Sequence, residues 1–249
     1  METLIEEEKS IIFEQPIIAS KDYGWVRDEA MAVVFHTPGD DLDLCGKSKL
    51  EWVELSCVNM LTKVADEPND DEFFGLLKQL SAGKQYVVVL YSDTPLLKQN
   101  TILEALDYVS SKNLNAVILP RGFIFKAAYL DGNMISSPIR KNFAPEQFES
   151  INSPEQISRA CEKLWAEIRQ FHKDNGVVLK GENTIFIDAD VVIESGTIIE
   201  PNNIIKGKST IEQNVILKSG NYIEDSVVAA GLVLARKTII NGEIVWELL

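Results

Sequence analysis

What this sequence has little of narrows its chemistry before any motif is read. Three cysteines, Cys45, Cys57 and Cys161, are too few and too scattered for a disulfide framework, and none forms the Cys-x-x-Cys pair of a zinc site. A reducing compartment is the default. Histidine occurs twice, at His36 and His172, in unrelated contexts, so no Ser/His/Asp or Cys/His set is suggested. His172 ends a helical pattern and is expected to be a favourable C-terminal cation or a surface group. Lysine and arginine number 24 against 38 acidic residues and never cluster. The formal net charge of -14 argues against nucleic acid or an anionic membrane as partner, because both demand a basic face. Nowhere do about eighteen apolar residues run together, and the first residues, Met-Glu-Thr-Leu-Ile-Glu-Glu-Glu-Lys, are acidic where a signal peptide needs positive charge. The expectation is a cytoplasmic protein. Gly46-Lys47 lacks the glycine-rich surroundings of a Walker phosphate loop.

What is present is dominated by one regularity. From Ile187 an aliphatic residue returns at every sixth position, through Ile193, Ile199, Ile205, Ile211, Leu217 and Ile223. Four residues after each stands a second inward candidate: Val191, Thr197, Asn203, Ser209, Val215, Asn221, Val227. Neither a helix of period about 3.6 nor a strand of period 2 repeats one residue class in this way. A fixed short period means one small unit stacked along an axis, here the hexapeptide signature of a parallel β-helix rather than an ordinary meander. Beyond it, Thr238 to Trp246 contains Asn241-Gly242, a strong two-residue hairpin signal, expected to cap the last coil and protect its open edge.

The upstream part reads as alternating strands and helices. Ile11 to Ser20 and Tyr23 to Val26 are weakly patterned, and Pro16 discourages a central strand there. Met31–Phe35 and Tyr86–Tyr91 are continuous apolar runs, the pattern of strands buried on both faces. A helix is expected from Gly46 on through Leu61, broken by the Pro68 region, with others over Phe73–Leu80 and Thr101–Ser111. Ala116–Leu119 and Gly122–Ala128 are further strands around the Pro120-Arg121 turn, and Asp131–Glu149 is irregular. Ser153-Pro-Glu-Gln156 opens a long helix that stops before Gly176, its inner face formed by Ile157, Cys161, Leu164, Ile168 and Phe171. Strand, helix, strand in this order predicts an α/β, doubly wound, mostly parallel sheet over residues 1–175, followed by the β-helix with its hairpin over 176–249.

In such sheets ligands gather beyond the carboxyl ends of the strands. His36 to Asp41 follows the first strand and Ser92 to Leu97 the second. Asp93 lies there either as a phosphate- or metal-facing carboxylate or as a cap of the following turn; Asn152, before the helix start, has the same two readings. Magnesium usually takes one or two protein oxygens and leaves the rest to phosphate and water, so Asp93 with Asn152 would suffice.

Gly46-Lys-Ser-Lys-Leu-Glu-Trp-Val53, Val89-Leu-Tyr-Ser-Asp-Thr-Pro-Leu-Leu97, Ile151-Asn-Ser-Pro-Glu-Gln156 and the hexapeptides after Phe186 resemble, in that order, the N-acetylglucosamine-1-phosphate uridyltransferase family. They also resemble the related sugar-phosphate nucleotidyltransferases with an appended left-handed β-helix. The resemblance implies a Rossmann-like nucleotidyltransferase fold and Mg²⁺ on Asp93 and Asn152; His36, Lys47 and Arg121 are the candidate nucleotide- or sugar-phosphate-binding groups, with Lys47 or Arg121 to supply charge. It implies attack of a sugar-1-phosphate on a nucleoside triphosphate, without a covalent enzyme intermediate. It also implies self-association, with a trimer favoured. The departures are equally specific. The family's glycine-rich Arg/Lys loop is replaced by Val34 to Gly46, which has no Arg or Lys and carries Asp40, Asp41 and Asp43. Uracil-reading segments are missing between Val53 and Tyr86. A β-helix of little more than two coils without histidine does not support the family's acetyl transfer. The reading is a nucleotidyltransferase relative with reduced or lost activity; the alternative is a non-catalytic nucleotide-sugar-binding or assembly scaffold.

Overall fold

The computed structural model describes residues 23–81, 83–130 and 138–244. The stretch Ile11–Ser20 with Pro16, the acidic first residues, the start of the irregular Asp131–Glu149 segment and Trp246 lie outside these. The chain forms two compact units, one ending at Ala160 and one from Cys161 onward.

The first unit is built on a six-stranded sheet. A short helix α1 (Gly24–Glu29) leads into β1 (Ala30–Phe35), every residue of which is buried. A tight hairpin, β2 (Asp43–Leu44) and β3 (Lys47–Ser48), turns through Cys45 and Gly46, both at positive φ. It delivers Ser48 as the cap of α2 (Lys49–Ser56), where Ser48 and Glu51 form a reciprocal capping box. The helix expected to reach Leu61 stops here. Asn59 at φ 70° reverses the chain, and β4 (Leu61–Ala65) pairs parallel with β1. As a half-exposed edge strand, β4 lacks the continuous apolar run that announces β1. After α3 (Phe73–Leu80) come β5 (Tyr86–Tyr91), α4 (Gln99–Ser111), β6 (Ala116–Leu119), β7 (Gly122–Lys126) and β8 (Ile139–Arg140).

The strand order is β4-β1-β5-β7-β6-β8. β1 pairs parallel with β4 and β5, and β6 with β8, whereas β7 runs antiparallel to both neighbours. The sheet is therefore mixed, the reversal following from the tight turn at Pro120-Arg121. Strand alternation sends Ala30, Ala32 and Val34 into one core with Val53 and the inner residues of α4. Met31, Val33 and Phe35 enter a second core with Leu77 of α3, so helices cover both faces.

The long helix α5 (Pro154–Asp174) begins in the first unit and continues into the second, close to its expected limits. Its buried stripe is Ala160, Leu164, Ile168 and His172, four residues apart. His172 is thus neither a surface group nor a terminal cation. It is 2% exposed, its Nδ1 has no partner among the described residues, and burial pushes its pKa down to about 4, leaving the ring neutral.

The second unit is β-helix-like, with three parallel ladders. One stacks Phe186–Ile187, Ile204–Lys206, Tyr222–Glu224 and Thr238–Ile240. Another stacks Val192–Ile193, Thr210–Ile211 and Val227–Val228. The third stacks Val178–Leu179, Ile198–Ile199, Ile216–Leu217 and Val233–Leu234. All seven aliphatic residues of the six-residue series are buried. The second inward series holds from Val191 to Asn221 and fails at Val227, which is 64% exposed. The step between coils shortens from 18 to 17 residues there, as the Asn221–Asn203 and Ser226–Ser209 bonds show, so Ser226 and Val228 take the inward places. The stack exceeds the expected two coils because Val178–Leu179, Val233–Leu234 and Thr238–Ile240 extend it without obeying the hexad. The hairpin is present: Thr238–Ile240 pairs antiparallel with Glu243–Ile244 around Asn241 and Gly242, both at positive φ. No described helix is long and apolar enough to cross a membrane.

Candidate functional site

β1 and β5 end side by side, with Phe35 opposite Tyr91. The loops that follow are tied by Ser92, whose Oγ accepts from the Thr37 amide at 2.9 Å and bonds Thr37 Oγ1 at 2.8 Å. The segment before α5 joins them through the Ile151 amide, which donates to the Asp93 carbonyl at 2.8 Å. The expected helix cap fixes this segment. Gln156 Oε1 accepts from the amides of Asn152 at 3.1 Å and Ser153 at 2.9 Å, while Ser153 Oγ accepts from Gln156 at 3.2 Å. The β6–β7 turn is the last contributor. Gly122 sits at φ 129°, and a Cβ there would lie 2.3 Å from the Val89 carbonyl oxygen. Only glycine lets the turn press onto β5 and set Arg121 beside Asp93.

Asp93 is 2% exposed, and both of its carboxylate oxygens accept hydrogen bonds. Oδ1 accepts from Arg121 Nε at 2.7 Å. Oδ2 accepts a short bond from Ser150 Oγ and a longer one from Asn152 Nδ2 at 3.4 Å, and Asn152 Nδ2 also reaches Ser150 Oγ at 2.6 Å. Burial alone would raise the Asp93 carboxyl; the hydrogen bonds from Arg121 and then Ser150 outweigh it and hold it below the usual range. The Arg121 guanidinium lies 4.2 Å over the Tyr91 ring, whose hydroxyl donates to Glu67 at 2.7 Å. Burial, with that bond, pushes the Tyr91 phenol up.

These segments enclose a cleft of about 910 Å³ lined by His36, Asp41, Asp43, Glu67, Asp93 and Asn152, with Lys49 and Arg121 as its cations among the described residues. His36 Nδ1 bonds Asp40 Oδ2 at 2.6 Å, which raises the His36 pKa. Of the expected groups, His36, Asp93, Arg121 and Asn152 come together, whereas Lys47 does not line the cleft. Lys49 does, 2% exposed, its Nζ donating to the carbonyls of Pro38 at 3.2 Å and Ile151 at 3.3 Å. The capping box carried the missed signal: a helix starting after Ser48 turns Lys49, Trp52 and Val53 inward. Nothing in the sequence singled out Ser150, Tyr91 or Glu67.

The expected Mg²⁺ pair is therefore adjacent, but the arrangement does not fit a divalent ion. Both Asp93 oxygens are bonded, and a metal on Oδ1 would meet a guanidinium nitrogen already 2.7 Å from it. Like charges at that separation repel. Asn152 is tied into the same hydrogen-bond set through Ser150 and the Asp93 carboxylate.

No known family profile matches the chain. It is similar to the bifunctional protein GlmU of Clostridium novyi (strain NT), 32% identical over 100 residues, or 40% of this chain and 22% of that protein. The same protein from Clostridium tetani (strain Massachusetts / E88) is 31% identical over 107 residues, 43% of this chain and 23% of the relative. That of Clostridioides difficile (strain 630) is 30% identical over 99 residues, 40% and 22%. The matches thus span less than a quarter of the length of these curated relatives. The likeness to GlmU is confined to the matched segments.

Proposed function

We propose that this protein is a sugar-phosphate nucleotidyltransferase relative that binds a sugar phosphate or nucleotide-sugar in the β1–β5 cleft and has lost nucleotidyl transfer. One observation carries the reading: Asp93, at the position that the resemblance assigns to metal, spends its carboxylate on Arg121. The chemistry it replaces depends on positive charge around a transferring phosphoryl group, usually the largest single term in such catalysis. Here the cleft offers Asp41, Asp43 and Glu67 in addition to Asp93, and Lys49 is occupied with backbone carbonyls. Carboxylates in that number repel a triphosphate more than a singly phosphorylated sugar.

In this reading residues 1–175 hold the ligand and residues 176–249 serve assembly of a cytoplasmic homo-oligomer, favoured as a trimer, with no nucleic-acid or membrane partner. The third ladder supports it: Val178, Ile198, Ile216 and Val233 pair side by side and project outward as an aliphatic column.

The test is pyrophosphate release from purified protein with Mg²⁺, a panel of nucleoside triphosphates and several sugar-1-phosphates, alongside calorimetric titration of UDP-N-acetylglucosamine. The expected result is binding without turnover. Sustained pyrophosphate release abolished by Asp93→Ala would establish the enzyme reading instead.

A further inference from the structure

We infer that the cleft recognises phosphate without a divalent cation, the two open amino groups of Arg121 supplying directed hydrogen bonds in a metal's place. This rests on the binding reading above and adds to it the residue that anchors the ligand and the ligand's charge class.

Arg121 is half spent and half available. Nε donates to Asp93 Oδ1 at 2.7 Å, while the two terminal amino groups make no hydrogen bond among the described residues. At 35% exposure the side chain lines the cleft rather than filling the core behind it. Three constraints fix the guanidinium plane before any ligand arrives: the Asp93 bond, the Tyr91 ring beneath it at 4.2 Å, and the glycine turn held against Val89. Tyr91 is itself anchored by Glu67 at 2.7 Å.

A planar fork with two open amino groups matches two oxygens of a phosphate, and its pre-orientation reduces the ordering lost on binding. The Asp93–Arg121 pair carries no net charge, so recognition rests on directed hydrogen bonds rather than on bulk attraction. That, with Asp41 and Asp43 lining the same cleft, favours a phosphate monoester or diphosphate ester over a triphosphate. Asp93 in this arrangement is a positioning residue: it aims Arg121.

The experiment titrates wild-type protein with N-acetylglucosamine-1-phosphate and with UDP-N-acetylglucosamine, once in EDTA and once in Mg²⁺, and repeats both with Arg121→Gln and Asp93→Asn. Equal affinity in the two buffers is expected, with a loss of about tenfold or more in Arg121→Gln. Asp93→Asn, which keeps an acceptor for Arg121 and removes the negative charge, is expected to retain or strengthen binding; a metal ligand changed in this way would lose it. Binding that appears only with Mg²⁺, or that survives Arg121→Gln unchanged, overturns this inference and leaves the binding reading intact. No binding of either probe in either buffer overturns the binding reading itself. The wild-type comparison needs no variant to fold.

Discussion

At the residue scale the most telling side chain outside the cleft is His172. It lies on the buried stripe of α5, beside a second cavity of about 400 Å³ that Glu194, Ser195 and Gln213 also line. Its folded pKa of about 4 lies below the ordinary value near 6.5. Between those values the unfolded chain binds more protons than the native one, so stability rises with pH across the window and is lost as pH falls through it. The full loss is about 3 kcal/mol, of which about 2 kcal/mol falls between about pH 7.5 and about pH 5. Urea unfolding at those two pH values should show this dependence in wild type and its disappearance in His172→Leu; a dependence that persists unchanged in the variant would sink the assignment. The sequence concealed His172 because Phe171 offered an equally regular apolar stripe. The cleft was more legible. Asp93 and Asn152 stood at the ends of readable elements, a buried strand and a capping box, so local pattern fixed where they would be. Their meeting with Arg121 depends on how closely the β6–β7 turn approaches Val89, a tertiary fact for which Gly122 is the sole local sign. Lys47 and Lys49 differ by two residues, and only the exact helix start decides which of them turns inward.

At the element scale, what holds the β-helix-like unit is not its aliphatic ladder alone. Asn203 and Asn221 are buried one above the other, and Asn203 Oδ1 accepts both from the Asn221 amide at 3.0 Å and from its Nδ2 at 2.8 Å. Asn221 Oδ1 in turn accepts from the Lys237 amide at 2.9 Å, and Asn203 Nδ2 donates to the Glu200 carbonyl at 2.6 Å. These side chains replace backbone partners that the corners between strands leave unpaired. Asn203→Ala removes the acceptor of the buried Asn221 amide and one of the two acceptors of Asn221 Nδ2, and should cost about 2 kcal/mol. The check is a urea transition followed by circular dichroism; a loss under about 0.5 kcal/mol would mean the stack is water-satisfied and unimportant. The same elements show why the fold was largely readable. A six-residue period is a local property, so every member of its aliphatic series was placed inward correctly. The one-residue deletion before Ser226 is invisible to a fixed period, and Val227 was misplaced for that reason. β4 escaped because an edge strand buries little on either side, and pairing with β1 rather than composition makes it a strand.

At the scale of the whole molecule, two terms oppose each other in self-association. Each chain carries a formal net charge of -14, which repels a second copy. Against this, Val178, Ile198, Ile216 and Val233 form an outward aliphatic column with neighbours about 4.8 Å apart, and Val178 and Val233 at its ends are exposed. A contiguous apolar column on a flat parallel ladder is what a second copy would cover. Because charge repulsion is screened over about 10 Å at 0.1 M salt whereas apolar burial is not, association should strengthen with ionic strength. Light scattering at low and high salt should therefore show an oligomeric mass, a trimer favoured, whose population grows with salt. Val178→Glu with Val233→Glu should shift it toward the monomer mass without unfolding the chain, since both side chains already face outward. An ion-pair interface would give the reverse salt response, and a monomer mass at every salt concentration would refute the assembly role.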